Sequence, residues 1–334
     1  MLKAVIAKKE NSNFMEIIKK YGIVFVLIIM IIGISIMEPA FLSQVNIFNV
    51  LTQAAIFGIM ALGLTFVIIS KGIDLSVGSV LAFAGVVAAS VGQMASATSK
   101  FYPNLGEMPV IVPIFAALAI GALCGGASGF LIAKTKIPAF ISTLGMMTIA
   151  RGAALIYTDG KPVSTLIPSL TMLGGKIFGV IPIPVIIYFL VIAVSWILLN
   201  NTRFGKNVYA IGGNINAAEI SGVNVNKNLI MIYAYSGLLA GIAAVVFAGR
   251  VGSVHPGAAA GYELTAIAAT TIGGTSHSGG IGTIWGAFVG ALVLAVLRNG
   301  LTLMGVDAYW QQVTEGVIIV VAVIIDMRKN ALKK

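Results

Sequence analysis

Charged residues are scarce in this sequence, since only 10% of its 334 residues are Asp, Glu, Lys or Arg. A soluble domain carries about 25% charged residues, so this chain has too few charged side chains to cover a soluble surface. Apolar residues make up 58% of the chain, and the mean hydropathy is +1.02. The composition excludes an ordinary soluble domain and indicates an all-α polytopic membrane protein.

Residues that build metal sites, disulfides and catalytic centres are also scarce. The single cysteine, Cys124, lies in an apolar run, which excludes a disulfide framework and a cysteine-based metal site. His255 and His277 stand alone, and we interpret both as loop residues. No G-x-x-x-x-G-K-[ST] motif occurs, and no Ser/His/Asp set is arranged for nucleophilic catalysis. We therefore expect no cofactor, no metal and no ATPase or other enzyme activity in this chain.

Long apolar runs fill most of the sequence and predict about ten membrane spans. They lie at 21–37, 50–70, 75–95, 109–133, 138–156, 181–199, 229–251, 262–274, 281–303 and 308–325. The run 21–37 is interpreted as a retained span, because Glu38 and Pro39 follow it in place of a small-residue cleavage site. The run 262–274 is too short to cross the roughly 30 Å of hydrocarbon as a straight helix.

The basic residues predict the topology, because Lys and Arg concentrate in cytoplasmic loops. An even number of spans places both termini on one side. With both termini cytoplasmic, that side also collects most of the 21 basic residues. The chain then divides into a cytoplasmic segment 1–20, a transmembrane domain 21–326 and a cytoplasmic tail 327–334. The net charge of +10 follows from this bias and does not indicate nucleic-acid binding, so we expect membrane lipid and no nucleic acid as a partner.

The connection 203–227, with the sequence RFGKNVYAIGGNINAAEISGVNVNK, is the longest polar run between apolar segments. Asn216 as an N-cap with Glu219 at position N3 predicts a very short helix near 217–221, which Gly222 ends. Such a short helix is marginal in water, so its packing must come from elsewhere, and a partner protein is one candidate. A solvated connecting loop is the alternative. The charge bias places this connection in the cytoplasm.

Two bends on the same side are rich in glycine, at 71–78 and 273–280. Interrupted helices at membrane depth usually face protein or a water-lined cavity, although glycine also allows membrane helices to pack closely. Four charged residues lie in or beside apolar runs and are candidates for the translocation path or for intramembrane polar contacts: Asp74, Arg151, Glu263 and Arg298. For each, a structural pair or a helix-end role is favoured over direct substrate contact.

Taken together, these motifs resemble the permease subunits of bacterial ribose/galactose-type ABC sugar importers. The resemblance covers 46–326 and is densest in the second half. The matching motifs are GIDLSVG at 72–78, NTRFGKN at 201–207, AIGGN at 210–214, AA at 217–218, SGVNV at 221–225, YEL at 262–264, AIAA at 266–269, GGTS at 273–276, NGL at 299–301 and YWQ at 309–311. Three features look most like the galactose/methyl-galactoside permease: Tyr102-Pro103, 202–207 and 309–311.

The resemblance implies a vitamin-B12-importer-like, type II arrangement in the bacterial inner membrane. It also implies that two permease chains, as a homodimer, form the pore. A separate cytoplasmic ATPase with tandem nucleotide-binding domains would drive transport, and a periplasmic or lipid-anchored sugar-binding protein would deliver the substrate. The coupling helix of the family maps onto 212–222. The expected ATPase-coupling residues are Gly212, Gly213, Asn214, Ala217, Ala218, Glu219, Ser221 and Gly222.

The sequence thus predicts a permease subunit that imports an uncharged monosaccharide of the galactose/methyl-galactoside or ribose class when a separate subunit hydrolyses ATP. Two alternatives remain. A branched-chain amino-acid permease of the same importer class would need fixed charge along its path for a zwitterionic substrate. An ion-coupled secondary transporter would need intramembrane ion ligands and no cytoplasmic docking helix.

Overall fold

The computed structural model describes residues 22–331, and these residues are mostly helical. The predicted N-terminal segment 1–20 and the last residues of the predicted tail, 332–334, lie outside the described residues. The helices are α1 (Gly22–Met37), α2 (Gln44–Ile69), α3 (Val77–Val91), α4 (Ile111–Thr135), α5 (Ala139–Thr158), α6 (Pro168–Thr171), α7 (Ile183–Asn201), α8 (Arg203–Gly213), α9 (Ile215–Ile220), α10 (Val225–Val251), α11 (Tyr262–Ile272), α12 (Ile284–Leu303) and α13 (Ala308–Ala331).

Short 3₁₀ turns and strands complete the described part of the chain. The 3₁₀ turns span Pro39–Leu42 and Met172–Gly174. The strands are β1 (Val163–Ser164), β2 (Lys176–Ile177), β3 (Ile181–Pro182) and β4 (Ser253–Val254). β1 pairs antiparallel with β4, and β2 pairs antiparallel with β3.

Six of the described helices are long and apolar enough to cross a membrane: α2, α4, α5, α7, α10 and α12. Shorter apolar helices coincide with the predicted spans at 21–37, 75–95 and 308–325. The predicted short span is confirmed as a short helix, because α11 has only 11 residues. At about 1.5 Å per residue, α11 is too short to cross the hydrocarbon alone. The prediction of a mostly helical, polytopic membrane protein is confirmed.

Helix α2 lies at the centre of the bundle. Its most apolar 18-residue window is 94% buried inside the protein, whereas the same window of α4 is 28% buried. A helix that is apolar on every side has no polar face to direct toward solvent, so α2 packs on all sides against protein. Helices α7, α10, α11 and α12 surround it.

Helices α4 and α10 approach each other through glycine. A Cβ at Gly125 would overlap the carbonyl oxygen of Tyr233, and a Cβ at Gly237 would overlap that of Gly121. The spacing of Gly121 and Gly125 is the small-xxx-small pattern that lets membrane helices pack backbone to backbone. Hydrophobicity does not drive helices together in lipid, so this close contact supplies the packing.

The described loops gather at two opposite ends of the bundle. Lys176 lies in β2, just before α7, and Lys206 lies in α8, just after it. The 19 residues of α7 span about 28 Å and separate the two lysines, as the predicted topology requires. We call the end that carries α8 and α9 the coupling end and the end that carries the strand pairs the hairpin end. Which end faces the cytoplasm remains a prediction.

Candidate functional site

The coupling end contains two consecutive short helices, not one short helix in a loop. Thr202 caps α8 by accepting a hydrogen bond from the Gly205 N–H at 3.2 Å. Helix α8 then continues through Gly213, and Asn214 adopts an extended conformation that separates it from α9. The connection is therefore mostly helical, and the glycine pair lies inside the last turn of α8.

The predicted cap of α9 is wrong, whereas its predicted end is confirmed. Asn214, not Asn216, is the N-cap, because its side chain accepts a hydrogen bond from the Ala217 N–H at 3.1 Å. Glu219 consequently lies outside the capping position. Gly222 has a φ of +83°, and the N–H groups of Gly222 and Val223 donate to the carbonyls of Glu219 and Ala218. These two bonds form a Schellman motif, which ends α9 at the predicted glycine.

Most of the predicted coupling residues are exposed, but two are buried by this chain itself. Gly213, Asn214, Ala217, Glu219, Ser221 and Gly222 are exposed. Ala218 is only 4% exposed and packs with Ile211 and Val225 in a small apolar cluster. Gly212 is buried against α2 and the bend after α11. Gly212 and Ala218 therefore pack within this chain, and their role in coupling to an ATPase stays a prediction.

Two isoleucines that the sequence analysis did not select are exposed at the first and last positions of α9. Ile220 is 88% exposed and Ile215 is 45% exposed. Apolar surface exposed on a polar segment is one of the features that mark interaction sites. Both isoleucines can be recognised in the sequence as the two ends of the INAAEI segment. The sequence analysis selected Ala217 and Ala218 of this segment instead.

Helix α8 is fixed to both glycine-rich bends. The Gly280 N–H donates to the Ile69 carbonyl at 2.8 Å, which joins the bend after α11 to the end of α2. The Lys71 ammonium donates to the Gly213 carbonyl at 3.2 Å, and the Tyr209 hydroxyl donates to the Gly282 carbonyl at 2.7 Å. The coupling end is therefore a single cluster of three segments held through backbone groups.

Asp74 lies inside the protein, just before the start of α3. It is 1% exposed and accepts hydrogen bonds from the backbone N–H and the hydroxyl of Ser76 and from the hydroxyl of Ser236. Within the described residues no cation pairs with it, and its bonds to Ser76, the N-cap of α3, give it a position at a helix end, one of the two expected roles. These bonds tie the bend after α2 to α10.

His277 lies in the second bend, as the sequence analysis expected of a loop residue. Its ring Nε2 is 2.8 Å from the Thr271 hydroxyl, and its backbone N–H donates to the Asp326 carboxylate at 3.1 Å. Burial lowers the pKa of the His277 imidazole, and the nearby Asp326 carboxylate acts in the opposite direction. Asp326 lies near the end of α13, so this contact places the end of α13 beside the bend.

The hairpin end contains the other polar cluster. Arg298 in α12 forms a two-point ion pair with Glu315 in α13 and donates from Nη2 to the Thr265 hydroxyl at 2.8 Å. Its guanidinium also lies 5.7 Å from the centroid of the Phe57 ring and 5.8 Å from that of Tyr262. The expectation of a structural pair for Arg298 is confirmed. Glu315, its partner, was missed although it is an acid inside an apolar run.

Arg151 and Glu263 also lie toward the hairpin end, where they contact backbone groups. Arg151 donates from Nη1 to the carbonyls of Pro256 and Ala258 at 2.7 and 2.8 Å. Among the described residues Arg151 forms no ion pair, so its contact with the loop before α11 is made to backbone carbonyls. Glu263 lies at the start of α11, as predicted, and accepts from the Gly261 N–H at 3.2 Å. Both residues thus fix the loop that joins α10 to α11.

Two cavities flank Arg298 and Tyr262. The first, of about 340 Å³, lies between α2, α10, α11 and α12. The second, of about 460 Å³, lies between α11, α12 and α13 and includes Gln311 and Gln312 in its wall. Both have the size of small-molecule sites, and both combine apolar walls with a few polar groups.

Comparison with known proteins identifies the family. Residues 46–323 match the family described as "Branched-chain amino acid transport system / permease component". The chain belongs to this permease family. The ribose import permease protein RbsC of Escherichia coli (strain K12) is 43% identical over 309 residues, which cover 91% of this chain and 92% of the relative. RbsC of Bacillus subtilis (strain 168) is 42% identical, covering 97% of this chain and 98% of the relative.

A second group of relatives carries a different sugar in its name. The galactose/methyl galactoside import permease protein MglC of E. coli (strain K12) is 40% identical over 331 residues, which cover 97% of this chain and 98% of the relative. No solved structure matches the chain. As a family member with several apolar spans, the chain is a multi-pass protein of the bacterial inner membrane.

Proposed function

We propose that this chain is the permease subunit of an ATP-driven importer of an uncharged monosaccharide of the galactose/methyl-galactoside or ribose class. The observation that carries the proposal is the identity of about 40% with ribose and galactose import permeases, which extends over more than nine-tenths of both chains. Relatives named for the two sugars match almost equally well. The choice between the two sugars therefore rests on experiment.

The proposed assembly has three further components. Two copies of this chain form the pore in a type II arrangement. Each copy has about ten spans within 21–326, and its cytoplasmic ends lie at 1–20 and 327–334. A separate ATPase with tandem nucleotide-binding domains supplies energy, because this chain has no P-loop. A periplasmic or lipid-anchored binding protein supplies the sugar.

The coupling end is the proposed docking site of the ATPase, within 203–227. Its exposed apolar tip consists of Ile215 and Ile220, with Ala217 between them. In this proposal Ile220 enters a groove of the ATPase, and Ala218 and Gly212 act indirectly by holding α9 and α8 on the permease. Because α8 is bonded to both bends, a displacement of α9 reaches α2, α3, α11 and α12 together.

The experiment that tests the function is uptake by the complete complex in proteoliposomes. Purified permease, ATPase and binding protein are assayed with galactose, ribose and leucine, with ATP inside the vesicles or with a pH gradient alone. Uptake of a monosaccharide that requires ATP supports the proposal. ATP-driven uptake of leucine would favour the branched-chain amino-acid alternative, which the family description makes worth testing. Uptake by the permease alone with a pH gradient would indicate a secondary transporter.

A further inference from the structure

The first cavity at the hairpin end contains polar groups for which the described residues provide no partner. Its wall includes Gln53 from α2, Arg250 from α10, Tyr262 from α11 and Arg298 from α12, with Phe57 and Phe247 as aromatic neighbours. Arg250 is exposed, at the rim, whereas Phe57 is buried. Four helices that are distant in sequence thus place polar and aromatic groups around one space of about 340 Å³.

The unpaired groups argue that a polar molecule occupies this space. Within residues 22–331 the Gln53 amide, the Arg250 guanidinium and the Tyr262 hydroxyl form no hydrogen bond. Arg298 uses Nε and Nη2 for its contacts with Glu315 and Thr265, which leaves Nη1 available. Gln53 and Tyr262 are half-buried and Arg250 is exposed, so these groups keep hydrogen-bonding capacity that water or a ligand rich in hydroxyls can use.

The charge and the aromatic groups favour a neutral ligand. Glu315 neutralises Arg298, so Arg250 at the rim is the remaining charged group in the wall. Apolar rings can cover the C–H face of a sugar, while the amide, hydroxyl and guanidinium groups bond to its hydroxyls. A carboxylate or a phosphate is typically held by an arginine that is free of an acidic partner. Arg250 meets that condition only at the exposed rim, whereas Arg298 is paired with Glu315.

We propose that this cavity is a receiving site for a neutral monosaccharide, in which Gln53, Tyr262 and Arg298 contact the sugar hydroxyls and Phe57 and Phe247 cover its apolar face. The inference rests on the proposed function and adds the location of the substrate. The site lies at the hairpin end, opposite the coupling end, so it is positioned to accept sugar from outside. Binding there is weak, because an importer must release its substrate on each cycle.

The test uses a cysteine reporter at the rim of the cavity. In a Cys124→Ser background, Val251→Cys places a thiol in the cavity wall, at a position that is 53% exposed. Phe178→Cys, 93% exposed in the β2–β3 turn, is the matched control outside the cavity. The complete complex in nanodiscs is labelled with an impermeant maleimide in the presence of galactose, ribose, galacturonate or no sugar.

Galactose or ribose at high millimolar concentration should slow labelling of Val251→Cys at least about threefold, the effect of roughly two-thirds occupancy of a weak site. The same sugar should leave labelling of Phe178→Cys unchanged. Adding Gln53→Leu to the reporter chain should remove the protection. This substitution keeps the size of the side chain and removes the amide group that would form hydrogen bonds with the sugar. Protection that persists in Gln53→Leu would overturn the assigned contacts.

Two other results would overturn the proposal while leaving the proposed function intact. One is unchanged Val251→Cys labelling with every neutral sugar in a complex that transports sugar with ATP. The other is protection by galacturonate alone, which would assign the cavity to an anion. A complex that transports no sugar with ATP would instead contradict the proposed function, so the two failures are distinguishable.

Discussion

The two ends of the helix bundle are held together in different ways. At the coupling end, glycines bring backbones into contact, and the bends are joined by hydrogen bonds to carbonyl groups. At the hairpin end, long side chains form an ion pair and cation–π contacts around two cavities. Segments in backbone contact are closely packed, so a displacement of one segment moves the next. Side chains around a cavity can change conformation when a ligand binds. The difference agrees with the proposal that one end couples to the ATPase and the other binds the substrate.

The largest effect is expected when a single methyl group is added at the coupling end. Gly212→Ala should abolish transport and cost about 3 kcal/mol or more of stability, because the new Cβ would overlap the Ile69 carbonyl oxygen and lie 2.6 Å from the Gly280 nitrogen. Gly213→Ala is the matched control, since a Cβ there has no neighbour within 4 Å. Thermal stability in detergent and ATP-driven uptake measure both effects. Equal stability and equal uptake of the two variants would show that the close contact at Gly212 is not required.

The hairpin end should be sensitive to the loss of one charge and less sensitive to the loss of both. Arg298→Leu or Glu315→Leu alone should lower stability by about 2–4 kcal/mol, because each leaves a partly buried charge without its partner. The double variant should recover much of this loss, since two apolar side chains of similar volume replace the pair. Thermal unfolding of the three variants in detergent provides the comparison. A double variant as unstable as the sum of the singles would contradict a paired role.

The smallest expected effect concerns the bend near the end of α13. Burial lowers the pKa of His277, so the folded protein binds fewer protons there than the unfolded chain does. The stability contributed by neutral His277 is present above the unfolded pKa of about 6.5 and is lost as the pH falls below it.

The measurement compares wild type with His277→Gln between pH 7.5 and 5.5. Acidification should lower the unfolding midpoint of the wild type by up to about 4 °C more than that of His277→Gln, the scale of a 1 kcal/mol change in a chain of this size. Identical pH profiles would mean that His277 does not titrate differently on folding.

Hydropathy predicted the helices that cross the bundle, because a span must be apolar over a length set by the bilayer. It did not predict α8. The segment RFGKNVYAIGG mixes polar and apolar residues and ends in two glycines, which suggest a break in a helix. Position 212 requires glycine because any Cβ there would overlap the carbonyl oxygen of Ile69, which lies more than a hundred positions away in the sequence. A contact of this range cannot be read from local pattern.

The sequence showed which residues belong to the coupling helix and which charges lie in apolar runs. It did not show which way these side chains face or what they contact. The sequence identified the short helix and its final glycine, but it could not show that Ala218 packs on Ile211 and Val225 while Ile220 faces outward. A helix of six residues is too short for periodicity to define its buried side. Arg298 was selected as an intramembrane charge, whereas its partner Glu315 required the folded arrangement of α12 and α13.

The central claim is that α9 couples this permease to its ATPase through Ile220, and one paired measurement tests it directly. Sugar uptake and ATPase co-purification are measured on the same membranes for wild type, Ile220→Asp and the control Asn216→Gln, which changes an exposed residue of the same helix that is not among the expected coupling residues. Ile220→Asp should leave the permease stable and lower ATP-driven uptake and co-purification at least about tenfold, as for a central apolar contact of an interface. Asn216→Gln should resemble wild type. Wild-type uptake and co-purification in Ile220→Asp would contradict the account.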